Sequence, residues 1–341
     1  MDLFTTIAPE TKLHPVYSML KDEVYKPEQD VVRSWAEGFV DRDGKFPYEF
    51  QTTFESSLWE LYLYAFLKER GAEVDFSHNA PDFVVNGDQA FCIEATIAAP
   101  SIEGTSPIGL GMPPLSLLQD LNEFNRKAAL RICNSLSNKI NKYRSSYSNL
   151  SHVKDKPFIV AIASYDQPFS YMESNRAIMA ALYGIYFDEE ATIASGSDRI
   201  IARHVEEVEK KEDVSVSLGY FFNEEHSEIS AVIYSCLVTW GKIRALADNN
   251  EALSIYTSYH LNTKSIVPEV RVAEKKDYVE YLADGLYIFH NPFATYRLSP
   301  QCLGHERIRQ IVPETDGSMK VISPDDFLLT RQLNSLRTRT E

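Results

Sequence analysis

Apolar residues at Phe54, Leu58, Leu61 and Ala65 recur at the spacing of one helical face, and Gly71 stands where the helix would end in a left-handed residue. This pattern predicts a helix over 54–70. A short strand is expected at 72–76. Two further strands, 82–85 and 90–97, flank Asn86-Gly87-Asp88, a strong hairpin signal. Residues 98–114, rich in Pro, Gly and Ser, read as a flexible loop. Residues 115–143 read as one or two helices, with Ala129, Ile132, Leu136, Ile140 and Tyr143 as their apolar stripe. The unbroken apolar run 157–164 fits a strand covered on both faces. A helix is expected over 173–186 and a polar surface insertion over 188–215. Further strands are expected at 229–235, 253–257 and 285–289, with a polar tail from about 306 that includes a short helix. Residues 1–50 read as an irregular arm with one or two short helices.

The chain has 341 residues, so it could hold one large domain or two ordinary ones. No sharp linker divides it. The expectation is a single domain: an arm over 1–50, a core over 51–190 and a C-terminal elaboration over 191–341 packed on the core. The fold class expected is α/β, a mixed central β-sheet flanked by helices. A net charge of −15 does not invite non-specific nucleic-acid binding through the overall field, so any such contact needs a local basic patch. The four cysteines form no CxxC pair, which argues against a disulfide scaffold and fits a reducing cytoplasm. No signal peptide or membrane-length apolar run is evident, so the expected location is cytoplasmic, without a membrane partner. No phosphate-binding glycine loop or histidine metal spacing appears.

Three carboxylates stand out. Glu94 interrupts the otherwise apolar 91–97, where a buried charge needs a partner. Asp82 opens the preceding strand, and Glu60 sits within Leu58-Trp59-Glu60-Leu61-Tyr62. Whether Asp82 and Glu94 share a face depends on hairpin register. A two-residue loop sets Asp82 against Phe91 and turns Glu94 away. A three-residue loop sets Val85 against Gln89 and Asp82 against Cys92, making Asp82 and Glu94 diagonal neighbours roughly 7–8 Å apart. A shared site therefore requires an odd-length loop or a bulge. Such carboxylates suit Mg2+ or Mn2+, which take hard oxygen ligands and activate water.

The order Glu60 on a helix, Pro81-Asp82 at a strand start, then Glu94-Ala95-Thr96 resembles the PD-(D/E)xK nuclease superfamily over about 54–165. Lys156-Pro157-Phe158-Ile159-Val160-Ala161-Ile162-Ala163, Ala181-Leu182-Tyr183-Gly184, Ile229-Ser230-Ala231-Val232-Ile233 and Phe289-His290-Asn291-Pro292 are similar to a poorly characterised prokaryotic group of that kind. The resemblance implies a restriction-endonuclease-like core with N- and C-terminal elaborations, and phosphodiester hydrolysis of nucleic acid, DNA ahead of RNA. It implies Asp82 and Glu94 as metal ligands with Glu60 assisting, a homo-oligomer such as a homodimer, a protein activator or partner, and a setting in antiviral, anti-phage defence. The alternative is a catalytically inactive relative that binds nucleic acid or protein.

The departure is Thr96, where the family carries a catalytic lysine. Thr96 would orient water or phosphate, and three readings follow: a lysine from elsewhere supplies the missing charge, the metal alone suffices, or the site is inactive and only binds. Residues 124–154 hold no Asp or Glu but seven Lys and Arg, a local reversal in an acidic chain. Lys139 borders the apolar stripe and can lean towards the sheet, which makes it the candidate replacement. Arg131, Asn138 and Lys142 lie further round and suit phosphate contacts, Arg126 is a further candidate for binding nucleic acid, and Tyr143 and Tyr147 near this stretch could stack on bases.

Overall fold

The computed structural model describes residues 1–101, 115–211, 214–249 and 253–336. Helices α1 (Pro15–Leu20), α2 (Lys26–Ala36) and α3 (Phe46–Thr52) precede α4 (Phe54–Glu69). They bury Tyr17, Leu20, Val32, Trp35, Phe46 and Phe50 against it, so the first fifty residues form part of the core and not an irregular arm. Each helix is too short to display a long apolar period, which is why the pattern did not announce them. α4 is apolar on nearly every side, as a helix covered all round must be. It ends as its sequence predicts. Gly71 adopts φ +68°, its N–H reaches the Lys68 carbonyl, and the Ala72 N–H reaches that of Leu67.

Strands β1 (Glu73–Val74), β2 (Phe83–Asn86) and β3 (Phe91–Ala98) form an antiparallel meander. Helix α5 (Leu121–Ser145) then leads to β4 (Phe158–Ser164), which lies parallel to β3. Asp120 caps α5 by accepting the Glu123 N–H at 2.7 Å. Most of the expected 98–114 loop lies outside the described residues. Next come α6 (Arg176–Tyr183), β5 (Ile185–Phe187), α7 (Glu189–Ser195), β6 (Ala202–His204), β7 (Glu207–Lys211) and β8 (Val214–Ser217). α7, β6, β7 and β8 are the small elements of the charged 188–215 stretch, while the helix expected over 173–186 ends at Tyr183 and gives way to β5.

β9 (Ala231–Ser235) runs parallel to β4, followed by α8 (Trp240–Leu246), β10 (Leu253–His260), β11 (Glu269–Glu274) and β12 (Tyr287–His290). The tail forms β13 (Arg309–Pro313), β14 (Met319–Ile322) and β15 (Leu328–Leu336) where a short helix was expected. β13 lies beside β12, β14 forms a short hairpin with β13, and β15 pairs with the distant β10. Pairing of that kind, not local pattern, makes these segments strands.

The main sheet has eight strands in the order β1-β2-β3-β4-β9-β12-β13-β14, mixed in direction, and β11-β10-β15 form a second sheet. The C-terminal part thus contributes β9, β12, β13 and β14 to the main sheet instead of only packing on it. Alternation divides the core between two faces. Phe83, Val85, Ile93, Ile159 and Ala161 meet α4 and the N-terminal helices. Val84, Cys92, Val160 and Ile162 meet α5 and α6. Among the described residues, no helix is long and apolar enough to cross a membrane.

Candidate functional site

Register brings Asp82 and Glu94 together. Val85 pairs with Phe91, Val84 with Cys92 and Phe83 with Ile93. The loop between the last paired residues is 86–90, odd in length as required, but two residues longer than the three-residue version. Continued one step beyond Phe83, the ladder sets Asp82 directly across from Glu94, not diagonal to it. Both then share the α5 face with Val84 and Cys92. Asp82 lies just ahead of β2, and its Oδ2 accepts the Ala95 N–H at 2.7 Å in place of a ladder carbonyl. Its other oxygen lies 3.9 Å from the Arg42 guanidinium. Arg42 is itself fixed by the His78 and Pro81 carbonyls at 2.7 and 3.1 Å. His152 braces the same approach, with Nε2 2.7 Å from the Ala80 carbonyl and its ring stacked on His78.

Glu94 is 1% exposed, and α5 supplies its partners. Lys139 donates to Oε1 at 2.7 Å and Lys142 to the same oxygen at 2.9 Å. Positions 139 and 142 share a helix face, so the pair arrives together. Glu94 Oε2 is buried and has no hydrogen-bond partner. Burial alone would lower the Lys142 pKa. Hydrogen bonds to Tyr147 and Glu94 outweigh it and raise the value. Thr96 is half-buried and follows Glu94 on the same strand face.

Glu60 reaches the site from the other side of the sheet. With Asp82, Arg42, Asp41, Asp43 and Glu49 it lines a cleft of about 390 Å3. Burial, then the Asp82 charge, pushes the Glu60 carboxyl up to about 8, against the pull of Arg42. Burial, then the Glu94 charge, pushes Asp82 up to about 6, against Lys139, the Ala95 N–H and Arg42. The three carboxylates therefore feel one another. Among the described residues, however, no group of three or more acidic, His or Cys side chains is close enough to hold a metal ion together. The close pairings are Asp82 across from Glu94 and Glu60 beside Asp82.

The expected phosphate contacts are engaged by other groups of the chain. Arg126 is engaged by Glu123 at 2.5 and 2.8 Å and by the Glu209 carbonyl. Arg131 lies near Asp166 and lowers its pKa. Lys142, placed by its helix position on the outer surface, instead grips Glu94, with its ammonium 5.0 Å over the Tyr147 ring. Tyr147 is buried and offers no face to a base. Long side chains reach around a helix, which helical spacing alone does not show.

Two features had no sequence signal. Arg42 comes from a turn whose role is set by the tertiary fold. Asp166 and Glu173 form a buried carboxyl pair beyond β4, both pushed up chiefly by burial, with Ser164 and Tyr234 donating to Glu173 Oε2 at 2.7 and 2.9 Å. Cys92 is buried in the core on the α5 side of the sheet, and burial pushes its thiol up to about 11. Comparison with protein-family models, curated proteins and solved structures finds no match to this chain.

Proposed function

We propose that this protein is a metal-dependent nuclease that hydrolyses phosphodiester bonds of nucleic acid, DNA ahead of RNA. The observation that carries the reading is Glu94: a buried carboxylate opposite Asp82, gripped by two lysines of α5, with one oxygen uncommitted. A buried unpaired carboxylate oxygen is costly, and a cation would satisfy it. The order α4, three-stranded meander, α5 and parallel β4 supports the nuclease-like core.

Asp82 and Glu94 are the residues that would hold Mg2+ or Mn2+, both of which favour carboxylate oxygens, with Glu60 joining through water. Bound there, the ion would supply an acidified water and neutralise charge on the leaving oxygen. Lys139 stands where a charge can stabilise the developing phosphate charge in place of the threonine at 96. Thr96 offers a hydroxyl to orient water or phosphate. Dimer formation, a protein activator and a role in antiviral defence rest on the resemblance alone.

A second reading is favoured by one observation: Glu94, Lys139 and Lys142 already satisfy much of one another's charge, and the arginines assigned to phosphate are engaged internally. On that reading the chain is an inactive relative that binds nucleic acid or protein. The test is incubation of the purified chain with plasmid, single-stranded DNA and RNA in Mg2+ or Mn2+, beside Glu94→Gln, with Mn2+ affinity read by calorimetry. Cleavage and Mn2+ binding that both vanish in the variant support the enzyme. Absent Mn2+ binding in the parent protein overturns it.

A further inference from the structure

A second cleft, of about 440 Å3, lies away from the carboxylates. Leu121 and Phe124 of α5 form one wall, and Tyr259 and Leu329 of the small sheet form another. Arg176 and Arg309 both line it. Arg309, the first residue of β13, has a buried Nε with no hydrogen-bond partner. Among the described residues its guanidinium makes one hydrogen bond, from Nη1 to Ser323 Oγ at 3.4 Å, and no carboxylate pairs with it. Arg176 engages Glu189 through Nε at 2.6 Å, with the Phe187 ring 4.4 Å beneath its guanidinium. Burial lowers the Arg309 pKa and the neighbouring Arg176 charge lowers it further, although Tyr287 opposes this.

Two guanidiniums thus face one space with a single carboxylate between them, leaving a surplus positive charge. An incompletely paired, largely buried guanidinium is expensive, and an anion between the two would relieve it. The wall is also fixed in an unusual way. Ser174 lines the cleft at φ +49°, a left-handed conformation uncommon outside glycine, and its hydroxyl pairs with that of Tyr287 at 2.7 Å. Apolar walls, amide side chains at Asn125 and Asn262, and the arginines match a ligand with one anionic end and a flat body.

We propose that this cleft binds a small organic phosphate of mononucleotide size, its phosphate between Arg176 and Arg309 and its body against Phe124 and Tyr259. The volume lies within the range of roughly 300–1,000 Å3 usual for small-ligand sites. The site is separate from the carboxylates. Asn125 and Lys139 stand on the same helix, about 21 Å apart at roughly 1.5 Å per residue. The inference does not depend on the nuclease reading.

The test is isothermal titration of the full chain with AMP, adenosine, inorganic phosphate and benzoate. AMP binding at least tenfold tighter than adenosine is expected, with at least a tenfold loss in Arg309→Gln. Ser265→Trp, which places an indole in the cleft lining, should cause the same loss and decides the matter if Arg309→Gln does not fold. Equal affinity for AMP and adenosine, no binding of AMP or phosphate, preference for benzoate, or undiminished binding in the folded variants overturns the proposal.

Discussion

Two buried carboxylates in this protein each hold two cations, yet they are built to opposite ends. Glu280 meets Lys242 at 2.6 Å and Arg331 through Oε1, while Tyr278 donates to Oε2 at 2.6 Å. Lys242 and Arg331 are 0% and 1% exposed, so that cluster is closed. Burial alone would raise the Glu280 pKa, but Arg331 and Lys242 outweigh it and hold it down to about 2. Glu94 is equally buried, but its lysines are 19% and 49% exposed, one of its oxygens has no partner, and two neighbouring carboxyls are pushed up. The closed cluster is sealed from any ligand, although its Arg331 Nε also lacks a hydrogen-bond partner, so access and not satisfaction sets the two apart. An open one keeps unmet electrostatic demand at the surface, which is how sites differ from struts.

The largest effect is expected at the closed cluster. Glu280→Gln strands two cations that cannot reach water, and the loss should be about 3–5 kcal/mol by urea unfolding. Glu94→Gln should cost about 1 kcal/mol or less, because Lys139 and Lys142 can turn to solvent. Equal losses would erase the distinction between the two clusters.

Next in size is Lys139→Ala. If Lys139 supplies the charge missing at Thr96, turnover should fall about 10²–10³-fold, the usual cost of one preorganised transition-state donor. Lys142→Ala, more exposed and further along the helix, should lose less. Equal activity in both variants would remove Lys139 from the catalytic role.

The smallest effect is in pH dependence, where the two regions have opposite signs. The folded chain keeps the Glu60 proton up to about 8, whereas an unfolded chain releases it near 4.5, so stability should decline as pH rises across that window. Asp82 acts in the same direction between 3.8 and about 6. Glu280 does the reverse: its contribution is full above 4.5 and is lost as pH falls towards 2. Glu60→Gln should therefore flatten the decline between pH 4.5 and about 8; a gain of about 1 kcal/mol at pH 8 would raise Tm by about 1–2 °C in a chain of 341 residues. An unchanged profile would mean Glu60 is not held in its protonated form.

Legibility followed the range of the interactions. The α4 helix, its glycine stop and the fully buried β4 were readable because each is written within one stretch of chain. Glu94 was conspicuous because a lone charge in an apolar strand announces a partner. Lys139 could be placed near it from its position beside the apolar stripe. The Lys142 contact with Glu94 was not legible because its angle on the helix points outward while its long side chain bends back. Arg42 was invisible because only tertiary packing brings the 41–46 turn to Asp82. β15 was missed because its strand character comes from a distant partner, and β13 and β14 because their short hairpin shows little alternation and is anchored through β12.

The five residues between Val85 and Phe91 carry a further consequence for descent. Side chains in a strand reverse direction at every step, so losing or gaining one residue here would carry Glu94 and Thr96 away from the lysines and rotate Ile93 out of its own core. Changes of two would preserve the facing of every side chain. Length variation among natural relatives at this bend should therefore come in even increments, a parity rule that genome sequences can check without any experiment on the protein.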